Sequence, residues 1–175
     1  MSVPGREVLS LDPIADAPEV GRWLSALEDA RRDTLKELDG VSDGMLDERP
    51  AGSENTIGTL LYHIALVEAD WLLSDIEGPE SGLPWPNDLL PFEDRDTEGT
   101  LTKVRGESVE THLERLRAVR TTLLDRLRGM SVEDFHRLRP RERWDVTPAW
   151  VLHHLLQHEA EHRAQIAWLR EAQRA

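Results

Sequence analysis

The chain has 175 residues, 34 of them acidic and 21 basic, and carries a formal net charge of −13 at pH 7. This length suits one domain, residues 1–175, and the acidic balance argues against nucleic acid and anionic membrane surfaces, because both polyanions are repelled. No apolar stretch approaches the ~18 residues of a membrane span, and the N-terminal residues lack the apolar core of a secretory signal. We therefore expect one cytoplasmic domain without nucleic-acid or membrane partners.

Cysteine is absent from the sequence. This absence excludes disulfides, thiolate ligands and cysteine nucleophiles from the chain's own chemistry. A metal ion would have to be bound by His, Asp or Glu side chains.

Four segments of similar length show the apolar periodicity of amphipathic helices. They cover about residues 18–39, 55–77, 108–128 and 147–171. Asp16, Asn55 and Thr147 are candidate N-caps of the first, second and fourth helices. At 1.5 Å per residue each segment would be about 33 Å long, so the pattern predicts an all-α four-helix bundle.

The connections between these helices differ in length. Residues 78–106 contain four prolines among acidic residues and glycines. This composition predicts an irregular segment, long enough to cross the bundle from end to end between the second and third helices. The shorter connections, 40–54 and 129–146, are each expected to contain a helical turn, beginning near Ser42 and Ser131.

The fourth helix carries two histidines in its core seam. The seam follows the alternating four- and three-residue spacing of a packed helix through Val151, Leu155, His158, His162, Gln165 and Leu169. Residues four apart project side by side, so two imidazoles occupy positions where leucine is expected. Buried unpaired rings are costly. They therefore bind a divalent metal ion or hydrogen-bond to each other, to water or to a glutamate.

A third histidine favours the metal. His63 lies beside the apolar stripe of the second helix, and three imidazoles from two helices would leave at least one coordination position open. His154 also stands four residues from His158 and offers an alternative pair. Antiparallel second and fourth helices would bring His63 level with His162, whereas His154 would serve only if the two helices were parallel.

Two stretches resemble the signature helices of the DinB superfamily: TIGTLLYHIALVEADWLL, with a lone histidine, and VTPAWVLHHLLQHEAEHRAQIAWL, with the pattern HxxxHR. The resemblance extends over nearly the whole chain in helix order and loop lengths. It implies a four-helix bundle in up-down-down-up order. It also implies a divalent metal, often zinc or nickel, held by His63, His158 and His162.

The same resemblance implies a chemistry. Several members are thiol-dependent S-transferases or isomerases in which mycothiol or bacillithiol coordinates the metal and attacks an electrophile. An open metal position lowers the pKa of a bound thiol, and a cysteine-free chain would need such a borrowed thiol. The expected partners are thus a small-molecule thiol and an electrophilic substrate. Two alternatives remain open: a metal-dependent hydrolase in which bound water replaces the thiol, and a non-catalytic metal-binding or interaction bundle that could form a homodimer.

Other polar and aromatic residues are interpreted as structural. Glu68 is expected to be a solvated or structural carboxylate outside the ligand set, and Glu159 and Glu161 are expected to face other helices or water. Core packing is predicted for the four tryptophans Trp71, Trp144, Trp150 and Trp168. Solvent exposure is predicted for the arginine run Arg137, Arg139, Arg141 and Arg143.

Overall fold

The computed structural model describes residues 8–174 and is all-α apart from one very short ladder. The four long helices are α1 (Pro18–Lys36), α3 (Ile57–Asp70), α4 (Val109–Leu127) and α6 (Pro148–Ala172). Two short helices lie in the shorter connections, α2 (Asp43–Asp47) and α5 (Val132–Phe135). The ladder pairs β1 (Arg139–Pro140) with β2 (Asp145–Val146) just before α6. The four predicted helices are therefore confirmed, as are the two helical turns.

Of the three predicted N-caps, one is confirmed and two are wrong. The Thr147 side chain accepts a hydrogen bond from a backbone N–H in the first turn of α6, as predicted. Thr56, not Asn55, caps α3, because Asn55 is held in a turn by hydrogen bonds with Ser53. No side chain caps α1, so the expectation for Asp16 is wrong.

The second predicted helix changes type before it ends. Its α-helical part, α3, stops at Asp70, and residues Trp71–Glu77 continue as a π-helix until Gly78, which has a φ of 80°. A π-helix fits one extra residue into each turn, so it rotates the following side chains relative to the α-helical pattern. Apolar periodicity alone does not reveal such a change.

Side-chain contacts fix the direction of every long helix. Trp23 packs against His153 near the start of α1 and α6, and Arg170 pairs with Glu37 near their ends, so these helices are parallel. Glu77, beyond α3, pairs with Arg126 near the end of α4, so α3 and α4 are also parallel.

The pair α3 and α6 runs antiparallel. His63, early in α3, lies near His162, whereas Trp71, just after α3, contacts His154, early in α6. The order is therefore up-down-down-up, as expected, and residues 78–106 cross the length of the bundle.

The crossover is fastened to the bundle in its middle. Tyr62 of α3 donates its hydroxyl hydrogen to the carbonyl of Phe92 and accepts from the Phe92 N–H, at 2.7 and 2.8 Å. Arg115 of α4 donates to the carbonyl of Leu89 at 2.7 Å. These bonds place the segment that follows Phe92 against the face shared by α3 and α6.

A layer of buried charges separates two apolar clusters of the core. Each long helix contributes one residue to this layer: Arg31, Glu68, Arg120 and Glu159. Each carboxylate is bonded by both guanidinium groups, at distances between 2.7 and 3.3 Å. Glu68 is thus a structural carboxylate, and Glu159 faces the other helices, as expected; Glu161 is exposed.

Candidate metal centre

Three histidine rings converge between α3 and α6. The Nε2 atom of His158 lies 3.1 Å from Nε2 of His63 and 3.1 Å from Nε2 of His162. One ring nitrogen from each residue falls within 4.8 Å of the others. The structure therefore brings together the three histidines that the sequence singled out.

His154 stands apart from this triad. Its ring centroid is 6.0 Å from that of His158, and the ring stacks on Trp150 at 5.2 Å with an angle of 7° between the planes. Its position four residues before His158 places it about one helical turn along α6, and the antiparallel packing of α3 puts His63 level with His162 instead.

Asp94, in the crossover, bonds to the outer nitrogen of His63. Its Oδ1 atom is 2.5 Å from Nδ1 of His63, and the His63 N–H and positive potential hold the pKa of Asp94 below its usual range against the effect of burial. With the proton on Nδ1, the Nε2 lone pair of His63 points at the other two rings; this assignment follows from the hydrogen-bond network. The arrangement is the carboxylate–histidine pair typical of metal ligands.

The triad has the donor geometry of a metal site. Tetrahedral zinc with bonds of about 2.0–2.1 Å to nitrogen requires neighbouring ligand nitrogens roughly 3.3 Å apart, and the two Nε2 contacts of His158 are each 3.1 Å. Gln165 Oε1, 3.3 Å from Nδ1 of His162, can accept a hydrogen bond from the Nδ1–H tautomer of that ring, in which the Nε2 lone pair is free. Lone pairs that meet without a proton between them repel, and a shared cation removes this repulsion. The residues present therefore fit a divalent ion.

His158 and His162 are held in the neutral form that metal binding requires. Burial, followed by the potentials of His162 and His63, lowers the pKa of His158 from 6.5 to about 3. Burial also lowers the pKa of His162. Neither ring needs to lose a proton at neutral pH before it can coordinate.

A cavity of about 720 Å³ opens directly onto the triad. Its walls come from α3, the π-helix, the crossover, the segment before α6, and α6 itself. Within residues 8–174 the triad has no fourth His, Cys, Asp or Glu close enough to complete it. The geometry is that of a three-ligand site with access for a small molecule.

The tryptophan prediction is wrong for at least three of the four residues. The exposed fractions of Trp144, Trp150 and Trp168 are 41%, 48% and 51%, and Trp71 is half-buried. Trp71 stacks on Trp144 at 5.4 Å and both line the cavity. Their helical spacing was misleading because Trp71 belongs to the π-helix and Trp144 to the segment before α6.

The arginine prediction is wrong for Arg139 and Arg141. Arg139 donates to the carbonyl of Ile76, and Arg141 donates twice to the carbonyl of Asp75. The last turn of a helix leaves carbonyls without intrahelical partners, and these guanidinium groups satisfy two of them. The other members of the run, Arg137 and Arg143, are exposed as expected.

Sequence reasoning missed two acidic residues at this site. Asp94 lies in an irregular segment, where no periodicity predicts which side chain returns to the bundle. Asp75 lies in the π-helix, buried beside the cavity, where its Oδ1 accepts a hydrogen bond from Nε1 of Trp144 at 2.7 Å. The sequence offers one indication for Asp75, which is that it lies 12 residues after the candidate ligand His63 in the same predicted helix.

Comparison with known proteins supports the fold. A solved structure, the crystal structure of a conserved protein from Enterococcus faecalis, matches with a TM-score of 0.62 at 17% identity, covering 86% of this chain and 94% of that one. No curated protein matches. Within residues 8–174, no helix has both the length and the apolar character that crossing a membrane demands. A sequence model of the DinB superfamily matches residues 26–166, and the chain belongs to that superfamily.

Proposed function

We propose that His63, His158 and His162 hold one divalent ion, zinc or nickel, and that the protein is a thiol-dependent S-transferase acting on small electrophiles. The observation that carries the proposal is the cavity of about 720 Å³ at a three-histidine cluster to which residues 8–174 add no fourth ligand. Closed structural sites use four protein ligands, whereas catalytic sites use three and leave a position for the reactant.

When bound, the ion would supply a Lewis-acid position that lowers the pKa of a thiol such as mycothiol or bacillithiol. In the overall reaction the thiol loses its proton, its sulfur forms a bond to an electrophilic carbon, and a leaving group departs from that carbon with the bonding electrons. No thiol on the chain can replace the external one, since the sequence has no cysteine.

The chain's own residues hold the ligand set in place. Asp94 keeps the proton on the outer nitrogen of His63, and Gln165 accepts from the outer nitrogen of His162. Glu159, next to His158, is fixed by Arg31 and so limits rotation of that part of α6. Such outer partners orient ligands and raise their basicity.

A metal-dependent hydrolase is the second candidate. It is favoured by the acidic lining of the cavity, where Glu54, Asp70 and Asp75 offer carboxylates that can accept a proton. Water would then take the place of the thiol at the open position.

The deciding experiment measures metal content first and turnover second. Purified protein should contain one zinc or nickel per chain, and His158→Ala with His162→Ala should contain none, while His153→Ala, an exposed histidine on the same helix, keeps it. Turnover of a model electrophile should then require both metal and thiol. Equal rates with and without thiol would support the hydrolase, and stoichiometric metal in the double variant would contradict the site.

A further inference from the structure

The cavity extends beyond the triad to an aromatic end. The ring of His154 lies 6.0 Å from that of His158 and 4.8 Å from that of Trp71, which in turn stacks on Trp144. This end therefore begins about one helical turn from the metal ligands, at His154, and extends to about two turns at Trp71. A ligand whose reacting atom lies at the triad can place a second group here.

Asp75 brings a buried carboxylate to the aromatic end. The residue is 6% exposed and lines the cavity. Its Oδ1 accepts from Trp144, and its Oδ2, which no side chain among residues 8–174 bonds, is open to the solvent of the cavity. Burial raises the pKa of Asp75, and the negative charge of Asp70 adds to this effect, whereas the Trp144 hydrogen bond and the charge of Arg141 oppose it in part. A positive partner for Oδ2 would offset both costs.

The basic residues near this end do not supply that partner. Arg141 bonds to the backbone carbonyl of Asp75 and not to its carboxylate. Arg95, the basic residue in the cavity wall, lies 3.4 Å from Asp94. Asp70 accepts a hydrogen bond from the hydroxyl of Ser74. Within residues 8–174 neither the Asp70 nor the Asp75 carboxylate forms an ion pair with a side chain, although Arg141 and Arg143 lie near this end.

The aromatic walls also suit a cation. The faces of indole rings attract positive charge within about 6 Å. Trp144 already stacks on Trp71 and holds the guanidinium of Arg143 5.2 Å from its ring centroid, so the ring of Trp71 is the one that can contact a ligand cation. A carboxylate on the ligand would be repelled by Asp70 and Asp75. A neutral group would leave Oδ2 of Asp75 unpaired.

We propose that this aromatic end is a subsite for an ammonium group, and that the small molecules used at the metal centre carry a primary or quaternary ammonium between one and two helical turns from the reacting atom. Asp75 and Asp70 bind its charge, and Trp71 contacts its alkyl groups. The part of the proposal that concerns the reacting end of the ligand rests on the proposed function. The binding of the ammonium group depends only on the residues of the aromatic end.

The test compares three thiols of equal length on the zinc-loaded protein by calorimetry: aminohexanethiol, mercaptohexanol and mercaptohexanoate. The amine should bind about tenfold more tightly than the alcohol, and the carboxylate least tightly.

Three variants test which residues cause this preference. Asp75→Asn keeps an oxygen for the Trp144 hydrogen bond but removes the charge, so the amine and the alcohol should bind it with nearly equal affinity. Asp70→Asn, at an exposed position, should lose part of the preference. Glu110→Gln, an exposed charge change on α4, should retain all of it.

A second measurement omits the thiol. Hexyltrimethylammonium should quench the tryptophan fluorescence of the wild-type protein at a concentration at which hexanol has no effect. In Asp75→Asn the two compounds should act at the same concentration. Ammonium binding without any thiol binding would leave this subsite standing and contradict the transferase. Thiol binding with equal affinity for amine and alcohol, or an amine preference that survives in Asp75→Asn, would overturn the subsite and leave the transferase standing.

Discussion

Asp94 and His63 are 31 residues apart in the sequence, yet an oxygen of one lies 2.5 Å from a ring nitrogen of the other. The contact joins the crossover to the metal centre. Tyr62, adjacent to His63, bonds to the backbone of Phe92, two residues before Asp94. The crossover therefore does more than connect α3 to α4, since it supplies the carboxylate that orients a candidate ligand.

Replacing Asp94 should weaken metal binding without unfolding the bundle. In Asp94→Asn the acceptor for the His63 N–H loses its charge, and loss of an outer-shell partner typically reduces metal affinity about 10–100-fold. Competition with a chromophoric chelator measures this affinity. Asp88→Asn, an exposed position on the same crossover, is the matched control and should bind metal like the wild type. Equal affinities in both variants would show that the Asp94 contact has no role in the site.

Removing His154 should leave the metal in place, whereas removing His162 should release it. One ring nitrogen from each of His63, His158 and His162 lies within 4.8 Å of the other two. The ring of His154 packs on Trp71 and Trp150 instead. Elemental analysis of His154→Ala and His162→Ala after dialysis measures the outcome. Metal binding to the native state also stabilises it, so only His154→Ala should show a higher melting temperature when metal is added. The reverse pattern would show that the wrong histidine had been assigned.

The triad could be predicted from sequence because its signals are local. His158 and His162 stand four apart in an apolar seam, His63 lies beside the apolar stripe of the second helix, and depth along two antiparallel helices favours His162 over His154. Asp94 gave no comparable signal, since its position depends on how an irregular segment folds back over the bundle. Asp75 and Trp71 were hidden for another reason: the π-helix changes the side-chain register, and a 3.6-residue period cannot describe it.

The buried charge layer was also beyond local reasoning. Arg31, Glu68, Arg120 and Glu159 each read as an ordinary polar position on an amphipathic helix. Their pairing depends on all four helices at once, and helix periodicity carries no information about such distant partners. Buried ion pairs are stable only when every charged group has well-placed hydrogen-bond partners, because the cost of removing the charges from water opposes their attraction.

Breaking this layer at one residue should destabilise the fold strongly. Arg120→Met removes a guanidinium that bonds Glu68 and Glu159, leaving two carboxylates with Arg31 alone. Loss of one partner from a buried ion pair costs about 3–5 kcal/mol in the free energy of unfolding. Urea denaturation measures the change.

The control for the charge layer is Arg117→Met, an exposed arginine one turn earlier on α4. It should change the free energy of unfolding by less than about 0.5 kcal/mol. A similar small effect from Arg120→Met would mean that the layer contributes little to stability.

The stability of the metal-free protein should fall as the pH drops below about 6.5, and His112 should account for part of the fall. The residue is 1% exposed, and burial followed by the charge of Arg115 lowers its pKa from 6.5 to about 4. The unfolded chain therefore binds a proton more readily than the folded one, so this stability is complete above pH 6.5 and is lost on acidification towards pH 4. A shift of this size corresponds to about 3 kcal/mol.

The variant His112→Gln tests this assignment. It keeps an acceptor for the side-chain N–H of Arg115, whose nitrogen lies 3.0 Å from Nδ1 of His112, but it cannot titrate. Urea denaturation between these pH values should give a shallower pH dependence for His112→Gln than for the wild type, and parallel curves would show that His112 is not the titrating group.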